Sequence, residues 1–301
     1  MFITVFEQVL LLFIFAIAGY TLAKTGLVKS EHSKILSTLL VYLFLPCNVI
    51  KTFNQNFTIP YITKRFDLIL VSIILLAVLM IVTEIIVRLI EKEKYRQTVY
   101  RYSLIIPNIG YMGWPFIGAL WGDEMMLSAM IFCLPLHIYI YTYGYAALTK
   151  GGLNLKTLLN PTVISLVVGI ILGLTGIKLP EFVLTAMDKS SACMAPVSMI
   201  LAGIVISEYK PKEILKDWRV WLVTALRLIV FPFAIGLAAR PFVSTEVLAV
   251  AVALAAMPCG LNTIVFPRLV GEDCKPGAAL GLISNILACG TIPLCITVLL
   301  S

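Results

Sequence analysis

Apolar residues fill this chain in long runs separated by short polar stretches, and the runs set its architecture. A helix that crosses a bilayer needs about 20 apolar residues at 1.5 Å of rise per residue. Ten runs meet that length, at about 2–23, 33–52, 67–90, 99–120, 126–148, 158–177, 182–207, 220–239, 246–270 and 277–300. The pattern predicts an all-α polytopic membrane protein with ten transmembrane helices and short loops. Ala16-Ile17-Ala18 resembles a leader cleavage site, but no Lys or Arg precedes the first run, so it is read as a span.

Two of the runs are interrupted. The fourth reads Pro107-Asn108-Ile109-Gly110-Tyr111-Met112-Gly113-Trp114-Pro115, followed by Gly122-Asp123-Glu124. The ninth reads Pro258-Cys259-Gly260-Leu261-Asn262, then Pro267, then Gly271-Glu272-Asp273. Proline removes a backbone donor and clashes with the preceding turn, so each helix is expected to open there. Open backbone at membrane depth is tolerated only where protein or a water-filled cavity covers it. Matching openings in two halves point to a binding site between repeats.

Loop charge orients the spans. Sixteen Lys and Arg lie in the loops after odd-numbered runs, among them Lys156 and Lys212, against five on the other side. The bias puts the odd loops in the cytoplasm of an inner (plasma) membrane protein and both termini outside. With five spans per half, 1–150 and 151–301, the second half enters with opposite polarity, so the repeat is inverted. Mid-run Pro46 and Pro196 in the second span of each half, and a Gly plus two acids after each fourth span, support it.

Composition agrees. The chain is 60% hydrophobic and 13% charged, with mean hydropathy +1.00. A soluble domain is about half apolar and a quarter charged. The +7 net charge sits in loops as topology determinants, so nucleic acid is not an expected partner. The seven cysteines form no close CxxC pair, which speaks against a zinc site or disulfide framework.

The interruptions carry the candidate chemistry. A half-helix is expected to restart near Trp114, with Pro115 in its first turn, and Asn262 is expected to cap the other. Each new N-terminus exposes free N–H groups and about half a positive charge. Together they form a receptor for a small organic anion, while the opposing carbonyl ends can hold a cation or a polar group. Asn108 and Asn262 offer donors and acceptors, and Gly110, Gly113 and Gly260 allow irregular backbone and close ligand approach.

Other polar residues lie inside the runs. His137 sits mid-span, where it can bind a carboxylate, move a proton, or simply be a neutral buried ring. Ser284, Asn285 and Thr291 are oxygen donors for a coupling Na⁺, although Ser and Thr also bond their own helix. No other cofactor is expected; the coupling ion is H⁺, Na⁺ or none. Arg227 is placed near the cytoplasmic interface as a snorkelling or counterion residue. Glu84 is expected to pair locally and Asp188 with Lys189. The tyrosines 139, 141, 143 and 145 read as an interfacial belt. An enzyme needs a catalytic pair or metal cluster, and neither is apparent. A ligand sensor with a carrier-like fold is the alternative to a transporter.

Leu45-Pro46-Cys47, Pro107-Asn108 with Met112-Gly113-Trp114-Pro115, and Met257-Pro258-Cys259-Gly260-Leu261-Asn262 resemble the auxin efflux carrier family over essentially the whole chain. That family includes plant PIN-type exporters and bacterial carriers assigned to malonate or malate. The resemblance implies a scaffold of helices one, two, six and seven, and a transport group of three to five and eight to ten. It also implies that helices four and nine cross at their prolines, elevator-type movement and a homodimer. Asn108, Pro107 and Pro258 match the substrate-lining positions of PIN-type members, and Asn262 the asparagine of bacterial ones. The long cytoplasmic loop of the plant proteins is missing here, and Pro267 and His137 depart from the pattern.

Overall fold

The computed structural model describes residues 2–152, 159, 161–210 and 216–300. Lys156 and Lys212, which entered the loop-charge comparison, lie outside them, as do residues 158 and 160 of the expected sixth span. Among the described residues there is no strand, only one isolated antiparallel bridge between Pro107 and Cys259.

In chain order the helices are α1 (Phe2–Lys24), α2 (Ser33–Leu39), α3 (Leu45–Asn56), α4 (Ile59–Lys64), α5 (Phe66–Ile90), α6 (Lys94–Ile105), α7 (Trp114–Trp121), α8 (Asp123–Phe132), α9 (Leu134–Tyr139) and α10 (Tyr145–Leu148). There follow α11 (Pro161–Thr175), α12 (Glu181–Ala192), α13 (Met194–Ser207), α14 (Trp218–Ala225), α15 (Phe231–Ala239), α16 (Thr245–Ala255), α17 (Asn262–Val270) and α18 (Lys275–Leu300).

Five stretches are long and apolar enough to cross a membrane: Ser33–Asn56, Phe66–Ile90, Glu181–Ser207, Trp218–Ala239 and Lys275–Leu300. Glu124–Phe132 with Leu134–Leu148, bent by 44°, makes a sixth. The shorter apolar helices Phe13–Lys24, Pro161–Thr175 and Thr245–Ala255 stand where the first, sixth and ninth spans were expected. This is a multi-pass membrane architecture.

Proline explains much of the local irregularity. π-helical turns at Leu40–Phe44, Ile109–Gly113 and Leu226–Val230 each run into a helix with proline in its first turn, at Pro46, Pro115 and Pro232. Proline at position i leaves the carbonyl of i−4 without its donor. For Pro232 that carbonyl is Leu228, and the Cys295 thiol donates to it at 3.3 Å. Pro267, inside α17, likewise frees the carbonyl of Thr263. Gly277 of α18 packs directly against that carbonyl, where an added Cβ would lie only 2.2 Å away. The Gly-acid-acid landmarks close α7 and α17: Gly122 and Gly271 take φ of +85° and +82°, backbone that a side chain would strain.

The helices pack in two groups. α1 lies along α13, and α3 lies against α11 and α12. In the second group α5 packs on α6, α8 and α9, while α16 packs on α8, α15 and α18. The groups meet where α1 touches α18, α2 touches α17, and α13 touches both α17 and α18. Arg268 of α17 bridges them, bonding Glu208 at 2.5 Å and the Ser33 hydroxyl at 2.5 Å.

Two expected pairings change. Asp188 pairs with Lys51, not with Lys189, because α12 sits against α3. The tyrosine run is not an interfacial belt: Tyr139, Tyr141 and Tyr145 are buried, and Tyr145 meets Phe266 edge-on at 5.0 Å. Glu84 pairs locally as expected, with Arg88 at 2.5 Å and Arg101 at 2.8 Å.

Candidate functional site

The two interruptions lie against each other. Helix α6 stops at Ile105, and Ile106 turns to extended backbone. The Asn108 N–H donates to the Pro258 carbonyl at 2.7 Å, and the Gly260 N–H donates to the Ile106 carbonyl at 3.2 Å. The opened backbone of each half thus satisfies that of the other, which a lone kink in a bilayer could not do. On the α18 side, the Ser284 hydroxyl accepts from the buried Cys259 N–H at 3.1 Å.

The glycines serve close approach more than unusual torsion. Neither Gly113 nor Gly260 has positive φ. A Cβ on Gly260 would stand 3.3 Å from the carbonyls of Ile106 and Pro107, and one on Gly113 3.4 Å from that of Asn108. The first opening is narrower than its sequence suggests, since the π-helical turn that begins at Ile109 already restarts the helix just after Asn108.

Each half of this region has one helix end of each sign. The free N-termini lie beside Asn108 and Asn262. Asn262 does not cap its helix as expected: it is the first residue of α17, and its amide nitrogen donates to the Tyr102 hydroxyl at 3.0 Å. Its Oδ1 has no partner, and neither do Nδ2 and Oδ1 of Asn108, which is 1% exposed. Burying an amide atom without a partner costs about 1–3 kcal/mol, so these atoms mark a place built for a ligand or water.

The carbonyl ends are occupied by Arg227, which the sequence placed near the interface. It is 1% exposed. Its Nη1 donates to Leu104 at 2.9 Å, Nη2 to Leu254 at 3.1 Å and Nε to Met257 at 3.2 Å. One guanidinium therefore caps the C-terminal ends of both α6 and α16. The signal in the sequence was Pro232, whose π-helical turn at Leu226–Val230 contains Arg227.

A cavity of about 40 Å³ lies beside the paired interruptions. At roughly 10–15 Å³ per water it holds about three waters, comparable with a carboxylate group. It is lined by Pro107, Asn108, His137, Gly260 and Asn262 from the expected set, with Tyr141 beside them. Leu45, Asn48 and Met194, from the proline-containing second and seventh spans, close it from the other group. Asn48 was missed in the sequence, although it follows Leu45-Pro46-Cys47 directly. His137 stacks on Tyr141 with ring centroids 5.8 Å apart and meets Phe53 edge-on at 6.1 Å.

The remaining expected residues do not line this cavity. Pro258 contributes its carbonyl, Gly113 packs under Asn108, and Gly110 lies in the π-helical turn. Asn285 and Thr291 bond their own helix, to Gly281 at 2.6 Å and Leu287 at 3.2 Å, and Ser284 holds Cys259. The three do not assemble into an oxygen cluster at the cavity. Among the described residues no carboxylate lines it, and no group of His, Cys, Asp and Glu is arranged to hold a metal.

Paired, interrupted helices around an internal cavity, in a multi-pass membrane architecture, are what a membrane transporter requires. The comparisons agree: the family described as Membrane transport protein matches residues 4–153 and 149–296. The chain belongs to this family. It is also 26% identical over 284 residues to an uncharacterized transporter of Methanocaldococcus jannaschii, covering 89% of this chain and 90% of that protein.

Proposed function

We propose that this protein carries small organic anions, carboxylates in particular, across the inner membrane by alternating access. The observation that carries the reading is Asn108: its amide is buried, has no partner for either polar atom, and faces a cavity between two helix N-termini. Aligned N–H groups and a positive helix end favour an anion without requiring a lysine. Asn108 and Asn262 orient the carboxylate, Pro107 and Gly260 let backbone reach it, and His137 contacts it or moves a proton.

The ten spans form two inverted five-helix repeats, 1–150 and 151–301, with helices four and nine crossing at their prolines. The antiparallel pairing of Pro107 with Cys259 supports that arrangement. The scaffold is α1–α3 with α11–α13, and the moving group is α5–α10 with α14–α18. Because the cavity is closed by residues of both groups, sliding one past the other opens it to alternate sides, an elevator movement. Both termini face outward, and two such chains pair through their scaffolds.

Purified protein in liposomes is expected to move a labelled mono- or dicarboxylate. The rival reading, a sensor that binds without transport, predicts ligand-dependent stabilisation with zero flux under any gradient.

A further inference from the structure

We propose that Arg227 is a built-in cation that stands in for a coupling ion, so that this carrier moves one monovalent anion without sodium. The inference deepens the anion-carrier reading and rests on it for the identity of the cargo.

Four helix ends converge at the paired interruptions. A helix end carries roughly half an elementary charge, negative at the carbonyl end and positive at the N–H end. The carbonyl ends of α6 and α16 therefore present about one negative charge between them. That is the arrangement a small cation such as Na⁺ would be drawn to, and interrupted transporter helices commonly use it so. Here the guanidinium takes the place: Leu104, Leu254 and Met257 all accept from Arg227, at 2.9, 3.1 and 3.2 Å. Its charge matches the two carbonyl ends, and no carboxylate is paired with it among the described residues. Being covalently held, it travels with its helix and needs no ion from solution.

The other two ends remain. The N-termini at Asn108 and Asn262 present about one positive charge to a cavity with no acidic lining. One monovalent anion balances it. A divalent anion would bring an uncompensated charge into a water-poor site, where Coulomb terms are strong. None of the three oxygen donors expected for sodium, Ser284, Asn285 and Thr291, lines that cavity.

The test has two parts. The first needs no cargo: the unfolding temperature of the purified full chain is compared in sodium and choline chloride at equal ionic strength. Wild type and Arg227→Lys should show no sodium-specific shift. Arg227→Gln, which uncovers the carbonyl ends, should gain one. A sodium-specific rise in wild type overturns the proposal even if Arg227→Gln does not fold. The second part uses proteoliposomes with labelled benzoate and malonate as monovalent and divalent probes. Benzoate flux should be unchanged on replacing sodium by choline and should exceed malonate flux at least about tenfold. Sodium-dependent benzoate flux, or malonate moving as fast, also overturns it. If neither probe moves, the carboxylate reading fails while the sodium comparison still decides the role of Arg227.

Discussion

The backbone N–H of Asn108 donates to the carbonyl of Pro258 at 2.7 Å, across 150 residues of sequence. This bond ties the two interrupted helices into one unit and holds the Asn108 side chain at the cavity, so the geometry of each half depends on the other. Substitutions that separate the two opened segments should impair both transport and stability. In Gly260→Val the added carbons meet the carbonyls of Ile106 and Pro107, where even a Cβ sits at 3.3 Å. Folded protein with an unfolding temperature lowered by several degrees and strongly reduced flux is expected; unchanged flux would detach the pairing from function.

Ser284→Ala removes the acceptor of a fully buried N–H, that of Cys259. Leaving such a donor unpaired costs about 1–3 kcal/mol. Thermal unfolding should fall by several degrees, with no change in the response to sodium. A selective loss of sodium response would instead identify Ser284 as an ion ligand.

Gly203 lies on α13 where α1 crosses it, and an added Cβ would stand 2.0 Å from the Ala16 carbonyl. Small residues let membrane helices approach to backbone contact. Gly203→Val should force α1 away and reduce the yield of monodisperse protein sharply in size-exclusion chromatography. Wild-type yield would show that α1 is held by other contacts.

His137 is buried between Tyr141 and Phe53 at the seam of the two groups and lines the cavity. If it carries a proton during transport, His137→Gln flattens the pH dependence of flux while retaining a hydrogen-bonding side chain. A profile parallel to wild type would leave His137 as a packing and contact residue.

The interruptions were legible in the sequence because proline, glycine and asparagine act on the backbone locally, and their spacing carries the repeat. What was not legible depends on long-range placement. Asn262 reads as a cap by position, yet its amide nitrogen is drawn to Tyr102, 160 residues away. Arg227 counted from the end of its run lies near the interface; its acceptors are Leu104, 123 residues away, and Leu254 and Met257, 27 and 30 residues on, at helix ends inside the protein. Asp188 has a lysine next to it but pairs with Lys51, because α12 packs on α3. The tyrosines 139 to 145 carry the composition of a membrane belt, and only the packing of their helix turns 139, 141 and 145 inward. Charge and aromatic content mark a residue as membrane-compatible without telling which neighbour it meets.

The measurement that bears most directly on the account is the initial rate of labelled carboxylate uptake into proteoliposomes by wild type and by the double variant Asn108→Ala, Asn262→Ala. Each asparagine contact to a charged group is worth about 1.5–3 kcal/mol. Wild type should transport, and the folded double variant should lose at least about tenfold, since every 1.4 kcal/mol is a factor of ten. Transport by the double variant at the wild-type rate would contradict the assignment of the cargo to the paired interruptions.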